Sequence, residues 1–343
     1  MLDPFCGSGT SGLEAIRLGR RFIGIDTNPV ALLISEAKLA FPSPKALRSA
    51  LTQILYSSQS IFAEHAAPPH PNESELLKWY HPQTMAALNG ILHAILQIES
   101  KLVRKCFLAL FSAILKNCSS QGRHWGWVCD NVTPKINEIS FKDATAIFVA
   151  ASNDFLRESD QAFREAQIHL EGVTRQQLRK QSTFLHGDCV QKLKALDDRS
   201  VDLIVTSPPY YGVADYVKSQ RLSFLWFDVD KLESLHLGFR DFERLRATEA
   251  GARSVRHRSN SHEAYMAFME SFFHECLRVL RPDASLTLVV GESSSRASTI
   301  DDMVSLASTA GLALNARLGR DIKATRRRLM AKVKGEEILV FCA

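Results

Sequence analysis

Residues 200–216 read SVDLIVTSPPYYGVADY, and this stretch decides the fold. Val201 to Val205 is a short run rich in β-branched residues, the pattern of a strand buried in a parallel sheet. It stops abruptly at Thr206-Ser207-Pro208-Pro209-Tyr210. In open α/β sheets, ligand chemistry gathers at the carboxyl ends of the strands. Two prolines fix φ and remove two backbone donors, so the loop is a stiff turn that presents carbonyls and one hydroxyl as acceptors. Such a surface suits a partner that donates hydrogen bonds, for example an aromatic amine. Tyr210 and Tyr211 either offer flat faces to a ring or pack in the local core.

Working outward, the N-terminus supplies the second half of a ligand site. A glycine-rich turn at Cys6 to Gly9 leads into a helix with Leu13, Ile16 and Leu18 among its apolar positions, and Gly19 ends it. Phe22 to Ile25 is a strand closed by Asp26. Gly7 and Gly9 let the backbone approach a ligand, the helix N-terminus favours an anionic group, and an acid after the second strand can hold two ribose hydroxyls. A glycine turn alone reads as an ordinary tight turn. The acid at this offset favours a nucleotide-like ligand.

Four motifs now stand together: DPFCGSGT at 3–10, GIDTNP at 24–29, HGDC at 186–189 and TSPPY at 206–210. As a set they resemble the amino-group DNA methyltransferases of the TSPPY type, over about residues 1–40 and 183–343. That resemblance implies an α/β fold, a Rossmann-like mixed sheet with helices on both faces. It also implies S-adenosyl-L-methionine as methyl donor and the N4 of cytosine or the N6 of adenine as acceptor, in a base flipped out of the duplex. By the same resemblance, Asp3, Phe5, Gly7 and Gly9 match positions around the methionine part of the cofactor, Asp26 its ribose and Asp188 its adenine amino group. Asp188 also suits a helix cap. Ser207, Pro208, Pro209 and Tyr210 match the catalytic loop: the Ser207 hydroxyl and Pro208 carbonyl as acceptors for the amine, Tyr210 as a stacking face. Serine in the first position leans toward cytosine N4.

Three departures from the family pattern stand out. The chain starts at Met1-Leu2-Asp3, so the N-terminal strand is expected to be largely missing from the middle of the sheet. A truncated frame, half of a split enzyme, and a complete protein with a repaired architecture all fit. At 281–285 the chain reads RPDAS where the family usually has a Gly-Gly turn, so any φ > 0 there falls on a side-chain-bearing residue. Finally, a long segment separates the second and third strands.

That segment, 42–181, reads as a mostly helical insertion between a first part of the core at 1–41 and its remainder at 182–343. Prolines bracket one helix within 42–71; Leu88, Ile91, Leu92 and Ile95 then mark a second, and Phe107, Leu108, Phe111 and Leu115 a third. Residues 119–135 form an irregular loop in which Arg123 and Trp125 either hold phosphates and wedge bases, or are pinned as packing. Residues 144–180 read as a long solvated helix.

After the proline loop, 215–226 is helical and 228–262 is expected to be irregular, basic and DNA-facing, with Arg253 and Arg256 among its cations. An amphipathic helix at 262–280 carries Tyr265, Met269, Phe272, Phe273 and Cys276 as a core stripe. The chain closes on a hairpin of 313–321 and 337–341, with Arg326, Arg327 and Arg328 placed for a phosphate backbone.

With 343 residues, 45% of them hydrophobic, the chain can bury a full α/β core and an additional subdomain. A net charge of +5 permits a polyanionic partner without demanding one. Seven scattered cysteines without CxxC or Cys/His spacing read as a reducing cytoplasmic compartment and no structural metal. No apolar run reaches membrane-spanning length, so no membrane partner is expected. The leading expectation is a site-specific DNA methyltransferase of restriction-modification type, cytosine N4 ahead of adenine N6, acting on double-stranded DNA. A cognate restriction endonuclease or a missing N-terminal segment would be a further partner. The competing expectations are an RNA substrate and a truncated, catalytically silent nucleic-acid-binding subunit.

Overall fold

A computed structural model describes residues 1–63, 68–121, 133–293, 298–320 and 333–343. The chain opens on β1 (Leu2–Asp3), turns through the glycines into α1 (Thr10–Arg17), and continues as β2 (Phe22–Asp26) and α2 (Pro29–Lys38). Local sequence explains each start and stop. Asn28 accepts a hydrogen bond from Val30 N with Pro29 at the first helical position, which caps α2. Gly19 adopts φ 70 just past α1. Leu18 lies at the C-cap, where the helical stripe has ended, and is 58% exposed rather than core.

The helical insertion follows as α3 (Pro44–Ala63), α4 (Glu73–Leu76), α5 (Pro82–Leu96), α6 (Lys101–Cys118), α7 (Ala144–His169) and α8 (Arg175–Arg179). The residues that marked its helices in the sequence, Leu88, Ile91, Phe107 and Phe111 among them, are buried in one cluster. The α7 helix is less solvated than its polar sequence suggests, because Phe148, Ala162 and Ala166 are buried. The chain then returns to the sheet with β3 (Ser182–His186), α9 (Cys189–Lys194) and β4 (Val201–Thr206).

Beyond the proline loop come α10 (Arg221–Trp226) and α11 (Phe239–Thr248). The second corrects the expectation of an irregular stretch. Phe239 and Phe242 stack with ring centroids 5.3 Å apart, and Phe242 meets Phe224 at 5.5 Å, so an apolar stripe anchors a helix whose other faces carry arginine. This region shares its core with the insertion. Trp226 is buried among Tyr80 and Phe111, and the His70 ring lies 3.0 Å from the Trp226 carbonyl.

The core is completed by α12 (Ser261–Val279), β5 (Leu280–Ser293), α13 (Thr299–Thr309), β6 (Ala313–Arg320) and β7 (Val333–Cys342). Met269, Phe272, Phe273 and Cys276 of α12 are fully buried on the sheet. Each large side chain among them contributes about 1.5–3 kcal/mol. Strand order is β3-β2-β1-β4-β5-β7-β6, with β7 antiparallel to β5 and β6 and the remaining pairs parallel. Side chains alternate across the sheet: Phe22 belongs to the cluster beneath α1, Ile25 to that beneath α12. Helices therefore cover both faces.

The two residues of β1 lie in the middle of the sheet, Leu2 opposite both Ile23 and Ile204 and Asp3 opposite Gly24. At the RPDAS turn, Asp283 takes φ 63, the left-handed geometry that a glycine would adopt without strain.

Candidate active site

Parallel pairing puts the carboxyl ends of β3, β2, β1 and β4 along one edge, and the strand order reverses between β1 and β4. That is the switch point where open α/β sheets form ligand crevices. Asp188 follows β3, Asp26 ends β2, the glycine turn follows β1, and Ser207 follows β4.

Asp26 organises the turn. Its carboxylate accepts from Gly7 N at 2.9 Å and Asn28 N at 2.8 Å, locking the loop after β1 to the end of β2. Burial pushes its pKa up to about 6; the hydrogen bonds from Asn28 and Gly7 oppose the shift and the nearby Asp3 charge adds to it. Asp3 is buried and accepts from Thr206 Oγ1 at 2.6 Å, from Phe5 N at 3.1 Å and from Ser11 Oγ. Desolvation raises its pKa against those three bonds. It therefore staples β1 to the last residue of β4. The Phe5 ring lies 6.1 Å from that of Phe268 and 5.3 Å from that of Phe272, which sets the turn onto α12.

The two glycines do different work. A Cβ on Gly7 (φ 50) would meet nothing nearer than the Phe5 carbonyl at 4.0 Å, so this backbone is bare. A Cβ on Gly9 (φ 74) would meet Ser35 Cβ at 2.9 Å, so Gly9 lets α1 pack close to α2. The N-terminus of α1 has no side-chain cap. A bare turn, an uncapped helix start and a carboxylate with lone pairs to spare together fit a ligand carrying an anionic group and a ribose diol.

Around Ser207 the packing is dense. Ser207 is exposed, whereas Pro208 and Tyr210 are buried. The Pro209 carbonyl accepts from Tyr265 Oη at 2.8 Å. Tyr210 is only 6% exposed, and its ring lies over Gly291 of β5, where a Cβ would come within 2.4 Å of Cε2. Tyr211 is equally covered, its ring 5.0 Å from that of His262 and its hydroxyl 2.8 Å from Ser261 Oγ. The open stacking faces expected from the sequence are thus used as packing. Ser207 Oγ lies 3.1 Å from the Val289 carbonyl and 3.3 Å from Tyr210 Oη, which in turn lies 3.3 Å from Glu336 Oε1.

A strap of residues 249–256 holds the loop from outside. Gly212 N donates to the Gly251 carbonyl at 2.8 Å, Arg253 N to Ala214 O at 3.2 Å, and Tyr216 N and Val217 N both donate to Glu249 Oε1. Glu249 Oε2 has no hydrogen-bond partner, and burial pushes this carboxyl up to about 7.

The pattern of a family described as DNA methylase, the N6/N4 methyltransferases, matches residues 1–37 and 201–338, just over half of the chain. The chain belongs to that DNA methylase family. The matched residues contain the glycine turn, Asp26, the proline loop and Glu336, and leave out the helical insertion, β3 and Asp188. The chain is 23% identical over 261 residues to the type II methyltransferase M.MvaI of Kocuria varians, covering 69% of this chain and 54% of that protein. It is 22% identical to M.BsoBI of Geobacillus stearothermophilus, over 67% of this chain and 47% of that one. A short stretch of 39 residues, 11% of this chain, is 59% identical to M2.DpnII of Streptococcus pneumoniae, covering 15% of that protein. The chain thus spans about half the length of the relatives it matches most broadly.

Within this DNA methylase chain the remaining expected site residues are dispersed. Asp188 caps α9, its Oδ1 accepting from Gln191 N at 3.0 Å. Arg253 and Arg256 sit half-buried in the strap, and Arg256 donates to the Arg253 carbonyl at 2.7 Å. Arg123, Trp125, Arg326, Arg327 and Arg328 lie outside the described residues. Among the described residues no cluster of metal-binding side chains occurs and no helix is long and apolar enough to cross a membrane. Sequence reasoning missed Glu249, Gly291 and Glu336, none of which belongs to a local motif.

Proposed function

We propose that the chain transfers a methyl group from S-adenosyl-L-methionine to an exocyclic amine of a base flipped out of double-stranded DNA, with cytosine N4 as the favoured target. The observation that carries this reading is the exposed Ser207 hydroxyl at the end of β4, beside the bare turn and Asp26 across the switch point. Membership of the DNA methylase family supports the reaction class. The cofactor supplies an electrophilic methyl group. Asp26 would accept from its ribose hydroxyls, and Gly7 and the start of α1 would face its amino-acid part.

The amine of a base is a weak nucleophile because its lone pair is shared with the ring. Ser207 Oγ and the Pro208 carbonyl, as acceptors, draw the two amine hydrogens and turn the lone pair out of the ring plane. The Pro209 carbonyl is engaged by Tyr265, from whose hydroxyl it accepts. Positioning and electrostatic stabilisation, rather than a strong base, lower the barrier. Flipping costs a few kcal/mol, offset by contacts in the pocket. Serine at 207 supports cytosine over adenine through the family lean alone. The sequence-based roles of Asp188 as adenine acceptor and Arg253 and Arg256 as phosphate contacts remain part of this proposal.

The purified chain, titrated calorimetrically with S-adenosyl-L-methionine and assayed for label transfer to mixed-sequence duplex DNA and to RNA, tests the reading. Cofactor binding with label in DNA supports it. Label only in RNA would move the substrate class, and a folded chain that binds no cofactor would make it a silent subunit.

A further inference from the structure

Glu336 is a buried carboxylate, 3% exposed, and pairs with Gly291 across the ladder between β5 and β7. Burying a carboxylate is costly unless its oxygens are occupied. Here Oε1 lies 3.3 Å from Tyr210 Oη, while Oε2 has no hydrogen-bond partner and faces Arg320 Nε at 3.7 Å. Tyr210 reaches this carboxylate only because residue 291 is glycine. A Cβ at 291 would sit 2.4 Å from Cε2 and 2.5 Å from Cδ2 of the ring, so any side chain would push the ring off β5. The phenol crosses β5 at that point and brings its hydroxyl between Ser207 and Glu336. Three distant pieces of chain, the loop after β4, the C-terminal end of β5 and the start of β7, thus converge on one hydroxyl.

We infer that Glu336 is a positioning residue that acts through the Tyr210 hydroxyl to keep Ser207 Oγ a hydrogen-bond acceptor, an inference that rests on the methyl-transfer reading above. A contact between two hydroxyls has no intrinsic sense, since either oxygen can donate. A carboxylate only accepts, so Tyr210 donates to Glu336 and has no proton left for Ser207. The Ser207 proton then goes to Tyr210 Oη or to the Val289 carbonyl. Either choice leaves Ser207 lone pairs free for the hydrogen of an incoming amine. Without Glu336, the Tyr210 proton turns to Ser207 Oγ and occupies one of its two lone pairs, in competition with the amine.

The test is a double-mutant cycle on methyl transfer to duplex DNA, with kcat and KM measured for the wild type, Tyr210→Phe, Glu336→Ala and the pair. Glu336→Ala should lose about tenfold in kcat with KM for cofactor and DNA unchanged, the scale of one charge-assisted hydrogen bond, and Tyr210→Phe should lose less, because it removes the competing proton together with the hydroxyl and leaves Ser207 its Val289 partner. The pair should be no worse than Tyr210→Phe alone, because Glu336 acts through that hydroxyl. Glu336→Gln, which keeps an accepting oxygen, should recover part of the loss. Unchanged kcat in Glu336→Ala, or losses that multiply in the pair, would overturn the inference. So would loss of calorimetric cofactor binding in both Glu336 variants, which would make the residue structural. A wild-type chain that binds cofactor and methylates no base overturns the methyl-transfer reading and the inference with it, whereas an active wild type with an indifferent Glu336 overturns the inference alone.

Discussion

The loops after β1 and β4 sit side by side at the switch point and are built in opposite ways. The first is stripped. Gly7 carries no side chain, α1 starts without a cap, and Asp26 shapes the backbone with one hydrogen bond to each oxygen and keeps lone pairs for a ligand. The second is filled. Two prolines remove backbone donors, Tyr210 and Tyr211 are packed away, the Pro209 carbonyl is taken, and the 249–256 strap closes the outside, leaving Ser207 exposed. A stripped loop recognises a ligand with its backbone and one carboxylate, whereas a filled loop offers one fixed hydroxyl. Substitutions in the first should therefore change binding, and in the second turnover.

The largest expected effect breaks the second loop. Ser207→Ala should lower kcat by about 10²–10³-fold, as removal of one preorganised hydrogen-bonding group does, with calorimetric cofactor affinity unchanged. Next comes the contrast between the glycines. Gly9→Ala should cost about 2–4 kcal/mol in a denaturant midpoint series, because a positive φ is strained and the new methyl meets Ser35 Cβ at 2.9 Å. Gly7→Ala bears only the strain of its φ, about 1–2 kcal/mol, and should weaken cofactor binding by covering bare backbone.

Asp26→Ala should weaken cofactor binding by about 1.5–3 kcal/mol, the worth of hydrogen bonds to a charged acceptor, and leave kcat at saturating cofactor less affected. Its pH dependence sharpens the point. With a folded pKa near 6, Asp26 protonates as pH falls through that value, so wild-type affinity should decline below about pH 6 while that of the alanine variant stays flat. The smallest effect belongs to the strap. The folded pKa of Glu249 is raised from 4.5 to about 7, so the stability tied to its proton is present below the unfolded value and lost as pH rises through about 7. Glu249→Gln, which keeps the acceptor for Tyr216 N and Val217 N and removes the buried charge, should gain about 1 kcal/mol over wild type at pH 8. The difference should vanish near pH 4 in chemical denaturation.

Local features were legible in the sequence and long-range partnerships were not. The glycine turn, Asp26, the strand into Ser207-Pro208-Pro209 and the C-terminal hairpin each announce themselves within a few residues, and the RPDAS turn flagged the backbone strain that Asp283 carries at φ 63. The α11 helix was hidden because Arg240, Arg244 and Arg246 dominate its composition, while Phe239 and Phe242 carry its packing. Burial of Tyr210 could not be read, since it depends on a missing side chain at 291 and a carboxylate at 336, 126 residues away from the phenol. Asp3 reads as a cofactor residue by motif, yet its oxygens hold Ser11, Thr206 and Phe5, contacts set by where β4 lands beside β1.

The most direct measurement is the identity of the methylated nucleoside. Duplex DNA incubated with the chain and S-adenosyl-L-methionine, then digested and analysed by mass spectrometry, should yield N4-methylcytosine with the wild type and a loss of at least about a hundredfold with Ser207→Ala. Equal yields from wild type and Ser207→Ala, or methyl groups on ring carbon in place of an exocyclic amine, would contradict the account.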